Sequence, residues 1–228
     1  MKKILVCFII TFFSCCLIKQ DNTNSIRNIS WTNISRETVP EQIFLIAGMP
    51  DLIYNVKSIY NEEYDASGFI INLIWINPGI DDKDTLEYGK RKNIQIGNGI
   101  SNIFEEYESI ELHYANILFM DFSSTMILKI KNKILIDKCF QINISDRSLS
   151  EYIANTIYNN IIKVYGPSNE VQDTKKYDIV LNKEYIWYLE EAKLVLSAQI
   201  SLEENKDPKK FGIIDYIQIN YEYIKNNN

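Results

Sequence analysis

The sequence predicts an α+β fold, mainly antiparallel sheet with helices packed on one face. Three observations predict it. Segments 112–122, 125–130, 134–144, 192–202 and 213–223 are rich in Ile, Tyr and other strand formers, and several alternate apolar with polar residues, the period of a strand wet on one side. Residues 149–164 instead repeat at helical spacing, with Leu149, Ile153, Ile157, Ile161 and Val164 on one stripe. A helix-then-meander order occurs twice, which hints at two related halves, 41–145 and 146–224, within a single domain over 41–224.

The elements follow in order. Residues 42–47 are an apolar run that suits a short strand, punctuated by Gly48 and Pro50. Asp51 then supplies acidic charge to a helix start, and Leu52, Ile53, Val56, Ile59 and Tyr60 recur at helical spacing. The run 69–76 is apolar on both alternating faces except Asn72, as in a central buried strand, and Asn77-Pro78-Gly79 ends it. Residues 80–92 are a charged loop, and Asn102 with Glu105 caps a short helix over 102–107.

Residues 112–122 form one strand, followed by a hairpin of 125–130 and 134–144 turning at Lys131-Asn132-Lys133. In its second arm Ile134, Ile136, Phe140, Ile142 and Ile144 share a face, and Leu135, Asp137, Cys139, Gln141 and Asn143 share the other. Ser148 and Glu151 form a capping box for the long helix, which Gly166-Pro167 stops. Its second row, Ala154, Tyr158, Ile162 and Tyr165, widens the apolar stripe for packing on a sheet. Strands over 185–189, 192–202 and 213–223 finish the body, the last two joined by a charged turn at 203–210. A polar tail, 225–228, follows.

The two ends give an address. Lys2 and Lys3 precede an apolar run over 4–13 and then Ser14, Cys15 and Cys16, which has the form of an export signal over 1–14, too short to be a permanent membrane helix. The segment Phe12-Phe13-Ser14-Cys15-Cys16 resembles the lipobox of bacterial lipoproteins, whose invariant cysteine is acylated after cleavage. That resemblance covers this end alone. It carries Phe12 or Phe13 where the family usually has Leu, and it implies lipidation of Cys15 or, alternatively, Cys16, with an ordinary secretory leader as the bland alternative. Residues 15–40, rich in Asn, Ser and Thr and with almost no periodic apolar pattern, then act as a flexible tether on which Trp31 is the exception.

Composition narrows the partners. The chain has 24 basic and 30 acidic residues, and losing Lys2 and Lys3 makes the body more acidic still. Nucleic acid is therefore disfavoured as a partner. Only Cys139 lies well inside the body, which excludes a disulfide framework. The chain is rich in residues with A/T-rich codons, so its many tyrosines and its Asn-x-Ser matches at Asn28, Asn33 and Asn143 reflect mutational bias more than binding.

Familiar chemistry is missing. The chain has one histidine, His113, too few for a zinc hydrolase or a two-histidine site. It contains no nucleophile elbow, Ser-x-x-Lys or phosphate loop, and Gly97-Asn98-Gly99 reads as a turn. Carboxylates are the only catalytic candidates. Asp82 stands among Asp81 and Asp84, and Glu105 among Glu106 and Glu108, but neither set has the spacing of a calcium loop or a glycosidase pair, and solvated acids explain both. No catalytic residue, metal or cofactor is assigned.

The segment 130–136, the helix end Val164-Tyr165-Gly166-Pro167 and Trp187 also resemble small exported bacterial proteins in which a hairpin, a Tyr-Gly-Pro helix end and a Trp-bearing strand recur. This implies architecture and no activity. The expected protein is a cell-envelope protein held to a membrane by a lipid anchor, facing periplasm or exterior, and a non-catalytic module for binding another protein. The rivals are an exported inhibitor or immunity-type protein and a carboxylate-dependent hydrolase.

Overall fold

A computed structural model describes Arg27, Ile29 and residues 33–63, 65–97, 100, 102–176, 179–200 and 214–224. The expected signal peptide, Cys15 and Cys16, Trp31, Asn98-Gly99, the 203–210 turn and the 225–228 tail lie outside the described residues. In chain order the elements are α1 (Pro40–Ala47), β1 (Leu52–Asn61), β2 (Ala66–Ile76), α2 (Lys83–Arg91), β3 (Gln95–Ile96), α3 (Ile103–Glu106), β4 (Ser109–Phe119), β5 (Phe122–Lys131), β6 (Ile134–Asn143), α4 (Ser150–Tyr165), β7 (Glu170–Lys176), β8 (Ile179–Tyr188), β9 (Ala192–Ile200) and β10 (Ile214–Tyr223). The ten strands make one sheet in the order β3-β2-β1-β4-β5-β6-β10-β9-β8-β7. Among the described strands β2 and β3 alone pair in parallel, and the isolated bridge of Arg27 to Ile117 is parallel too. The protein is α+β and largely sheet, about 51% strand and 23% helix.

The first two expected elements exchange identities. Residues 40–47 are helical because Pro40 begins the first turn, the Gln42 side chain accepts the Val39 amide at 3.3 Å, and Gly48 ends the helix at φ 74°. Residues 52–61 are a strand. Their β-branched and aromatic side chains favour the pleat, and the Asp51 carboxylate caps no helix: it accepts Arg27 Nη2 at 2.8 Å and the Ala115 amide at 2.6 Å.

Four further expectations are corrected. Residues 80–92 contain α2, whose N-cap is Asp82 and whose Gly89 admits the Ile76 side chain: a Cβ there would come within 2.3 Å of Ile76 Cδ1. The strand expected over 112–122 ends at Phe119, where Met120 and Asp121, both at positive φ, turn into β5. The run 69–76 lies near the sheet's edge and leaves Phe69, Ile70 and Ile71 exposed. The capping box at Ser148 gives way to an Asp146 turn. Its carboxylate accepts the Ser148 amide at 3.0 Å and hydroxyl at 2.6 Å, a short 3-10 turn follows, and α4 opens at Ser150.

The core side of the sheet is marked by Ile53, Trp75, Leu112, Leu128, Phe140, Leu194, Leu196, Ile217 and Ile219, all essentially inaccessible. Ile43 and Ala47 of α1, Ile103 of α3, and Ala154, Ile157 and Ile161 of α4 join the same cluster. The α4 stripe is rotated from the expected one, with Leu149 and Val164 exposed and Tyr158, Ile162 and Tyr165 packed. α2 instead meets Ile76, which points away from Trp75 by strand alternation. Where the Tyr-Gly-Pro end of α4 stops, the Gly166 carbonyl accepts Trp187 Nε1 at 2.9 Å, so the two motif parts are one packing device.

A bulge changes the expected faces of β6. Lys129 opposes Asp137 and Ile130 opposes Leu135, leaving Ile136 as the extra residue. Leu135 is thereby buried with Phe140 and Ile142, while Ile134 is exposed.

The stretch expected as tether is docked at its described positions. Ile29 and Ile34 join the core, Arg27 bridges to Ile117 with paired backbone bonds to Asn116 and Leu118, and the Ile34 carbonyl accepts Lys138 Nζ at 2.8 Å.

Candidate functional site on the outer face of the sheet

Strand register assembles a face that no single segment reveals. On the side away from the core, Glu111, Lys129, Asp137, Glu222, Lys193 and Tyr188 follow one another across six adjacent strands. A second row runs His113, Ile127, Cys139, Asn220, Val195 and Ile186, and a third runs Thr125, Gln141, Gln218, Ser197 and Glu184. Period-2 alternation with apolar residues inside forces these side chains outward.

The charged centre is compact. His113 Nε2 lies 3.1 Å from Glu111 Oε2, and Lys129 Nζ lies 3.8 Å from Glu111 and 3.3 Å from Asp137. The Tyr54 ring packs on His113 at 4.7 Å between centroids. Burial works against ionisation of Glu111, but His113 and Lys129 outweigh it and hold its carboxyl below the ordinary range. For Lys129 burial is likewise outweighed, here by Asp137 and Glu111, and its ammonium is held above the usual value. Asp137 behaves oppositely: burial dominates and raises its carboxyl. Among the described residues, its buried Oδ1 has no hydrogen-bond partner.

The amide rows are internally bonded. Tyr216 donates to Gln218 at 3.2 Å and Gln218 to Asn220 at 2.9 Å, while Ser197 donates to Asn182 at 2.8 Å and Asn182 to Glu184 at 3.0 Å. Toward β1 and β2 the same face turns apolar, with Tyr60, Phe69 and Ile71 exposed.

This arrangement offers charges, amides and apolar surface, and no activated nucleophile. Burial pushes the Cys139 thiol up to about 12, so it carries negligible thiolate at neutral pH. The described residues hold no cluster of three or more metal-ligating side chains, and none of the described helices is long and apolar enough to cross a membrane.

The carboxylates selected from sequence are engaged apart. Asp82 is committed to the α2 N-terminus, accepting the Asp84 amide at 3.1 Å and the Thr85 hydroxyl, bonds that lower its carboxyl. Glu105 lies on α3 and pairs with Lys133 of the β5–β6 turn. Neither belongs to the outer-face cluster. Glu111, His113, Lys129 and Asp137 were obscured in the sequence because they sit on three strands; the readable signal was the β5–β6 hairpin, which places Lys129 near Asp137.

No protein-family model, curated protein or solved structure matches the chain.

Proposed function

We propose that this is a non-catalytic protein-binding module that docks a partner on the outer face of its sheet. In this reading the module is a lipoprotein of the cell envelope, held to a membrane by acyl chains on Cys15 or Cys16 and facing periplasm or exterior. The observation that carries the binding role is Asp137 Oδ1, which has no hydrogen-bond partner among the described residues, within a face that combines charges, amides and apolar side chains. A buried acceptor left without a donor costs about 1–3 kcal/mol, and a donor from a partner would remove that cost. The finer architecture belongs to the same proposal: α1, α3 and α4 form one helical layer on the core side, α2 lies on the other, and the two halves meet at β6 and β10.

Site-specific photocrosslinking in envelopes tests the reading. Probes at Lys129 and Phe69 should capture the same partner, a probe at exposed Tyr152 on α4 should not, and Lys129→Glu should abolish capture. Capture through α4 alone would refute it. Mass measurement of the membrane-fraction protein tests the anchor; a mature chain without acyl mass removes it.

A second reading, an exported inhibitor or immunity-type protein, is favoured by the acidic tip Glu62, Glu63 and Asp65 between β1 and β2, which suits a basic enzyme. Deleting the gene should then sensitise cells to a neighbour-encoded toxin, and unchanged survival would count against it.

A further inference from the structure

β1 and β2 have ten and eleven residues, yet β4 accompanies β1 only along residues 52–55, and β3 accompanies β2 only at Trp75 and Ile76. Residues 56–61 and 66–71 therefore stand out as a two-stranded arm, with no strand of the described residues beside either edge. An isolated two-stranded ribbon is marginal in water. The backbone amides and carbonyls along such an edge are a template for another strand. Native edges are usually blunted by charge, proline or a bulge, but Lys57 is the one charge along these two segments, and they hold no proline. Ile59, Tyr60, Phe69, Ile70 and Ile71 are all exposed there, Phe69 at 71%.

We propose that the free edge of β1 pairs antiparallel with the same edge of a second copy of this chain. A twofold axis perpendicular to the sheet keeps the outer faces on one side, so opposed residues must share parity. Centred on Ile59, this register sets Ile59 against its own counterpart, Ser58 against Tyr60, and Lys57 against Asn61, with Glu63 diagonal to Lys57. The acidic tip of each arm, Glu62, Glu63 and Asp65, then reaches the base of the other. There it meets Lys57 and Lys131, the latter paired across the sheet with Ser109 at the start of β4 and shared with Glu108 at 3.3 Å.

Charge selects this occupant. Parallel pairing would bring tip against tip, three acids facing three, and an anionic lipid surface would repel the same tip. Antiparallel pairing alone places acids beside lysines. It also carries the β1–β2 arm of each copy alongside the other, so four strands replace two and the ribbon gains the width that independent stability requires.

Sedimentation velocity of the full chain in detergent is the test, and twice the single-chain mass is expected at the higher concentrations. Ile59→Lys places two ammonium groups on the axis and should give single-chain mass with an unchanged circular dichroism spectrum. Ile59→Cys should give a disulfide-linked dimer on mild oxidation. Lys57→Glu should weaken the dimer roughly tenfold, and adding Glu63→Lys should restore it. Single-chain mass at every concentration, a dimer indifferent to Ile59→Lys, or a single chain that binds anionic vesicles through the arm would each overturn the proposal. A single chain that still crosslinks to a different partner at Lys129 overturns this inference alone and leaves the binding role intact.

Discussion

Lys138 is the residue whose placement is hardest to infer and has the clearest physical consequence. It lies on the core side of β6, 3% exposed, with its Nζ bonded to the Ile34 carbonyl and 4.9 Å from the centre of the Tyr221 ring. Burial pulls its ammonium down to about 8. Between that value and the ordinary 10.5 of the unfolded chain, the unfolded state binds more protons, so stability rises with pH across this window. The rise is on the order of 3 kcal/mol when complete. Buried tyrosines act in the opposite sense above about 10, because Tyr185, Tyr216 and Tyr223 are all held near 12 by burial and neighbouring groups and stay neutral while the unfolded chain ionises. The Cys139 thiol, ordinarily near 9 and pushed up to about 12, opposes the rise from about pH 9. Urea unfolding of the native protein should therefore show stability climbing from pH 8 toward 9. In Lys138→Met the climb should flatten, and equal slopes in the two proteins would contradict this assignment.

At the scale of elements, turn chemistry gives a sharper expectation than propensity. Asn132 and Lys133 both adopt positive φ, 50° and 64°, where a two-residue hairpin wants Asn-Gly. Lys133 bears the left-handed strain, and its pairing with Glu105 is between exposed groups and contributes little. Lys133→Gly should stabilise by about 0.5–1 kcal/mol, read as a higher urea midpoint with unchanged slope. The same hairpin was legible in the sequence, as were α4 with its Gly166 stop, β9 and β10, because each carries a long apolar period; α3 was read at the right place, but the Asn102 side chain expected to cap it makes no capping bond. α1 and β1 were legible only as ordered segments. Eight to ten residues of mixed Ile, Leu and Tyr fit either period, and the deciding contacts, Asp51 with Arg27 and Ala115, come from distant parts of the chain. α2 and β7 are mostly polar, with Leu86 and Tyr88 the large apolar side chains of α2 and Val171 that of β7, too few for either to stand out from a charged loop. The candidate site was least legible, since clustering along the chain favoured Asp82 and Glu105, whereas Glu111, His113, Lys129 and Asp137 converge only once three strands are in register.

Across the whole molecule, one core cluster runs from Ile53 and Trp75 through Phe140 to Trp187 and Leu194, and the sheet is continuous across both halves. Such continuity predicts a single cooperative unfolding step. Trp75 on β2 and Trp187 on β8 report from opposite ends of the sheet. Proteins retaining one or the other as sole tryptophan should each show one fluorescence transition that coincides with loss of circular dichroism; a reporter out of step would divide the molecule into two independently melting parts.

The last of the described strands has a consequence for how the sheet is completed. β10 follows the other nine described strands in sequence yet lies between β6 and β9, joined to both. The meanders β4-β5-β6 and β7-β8-β9 can each be laid down by local hairpins and still leave a gap between them in the middle of the sheet. A polypeptide cut short before Ile214 would therefore lack a central plank rather than a margin, exposing two long apolar edges where quality-control proteases and aggregation act.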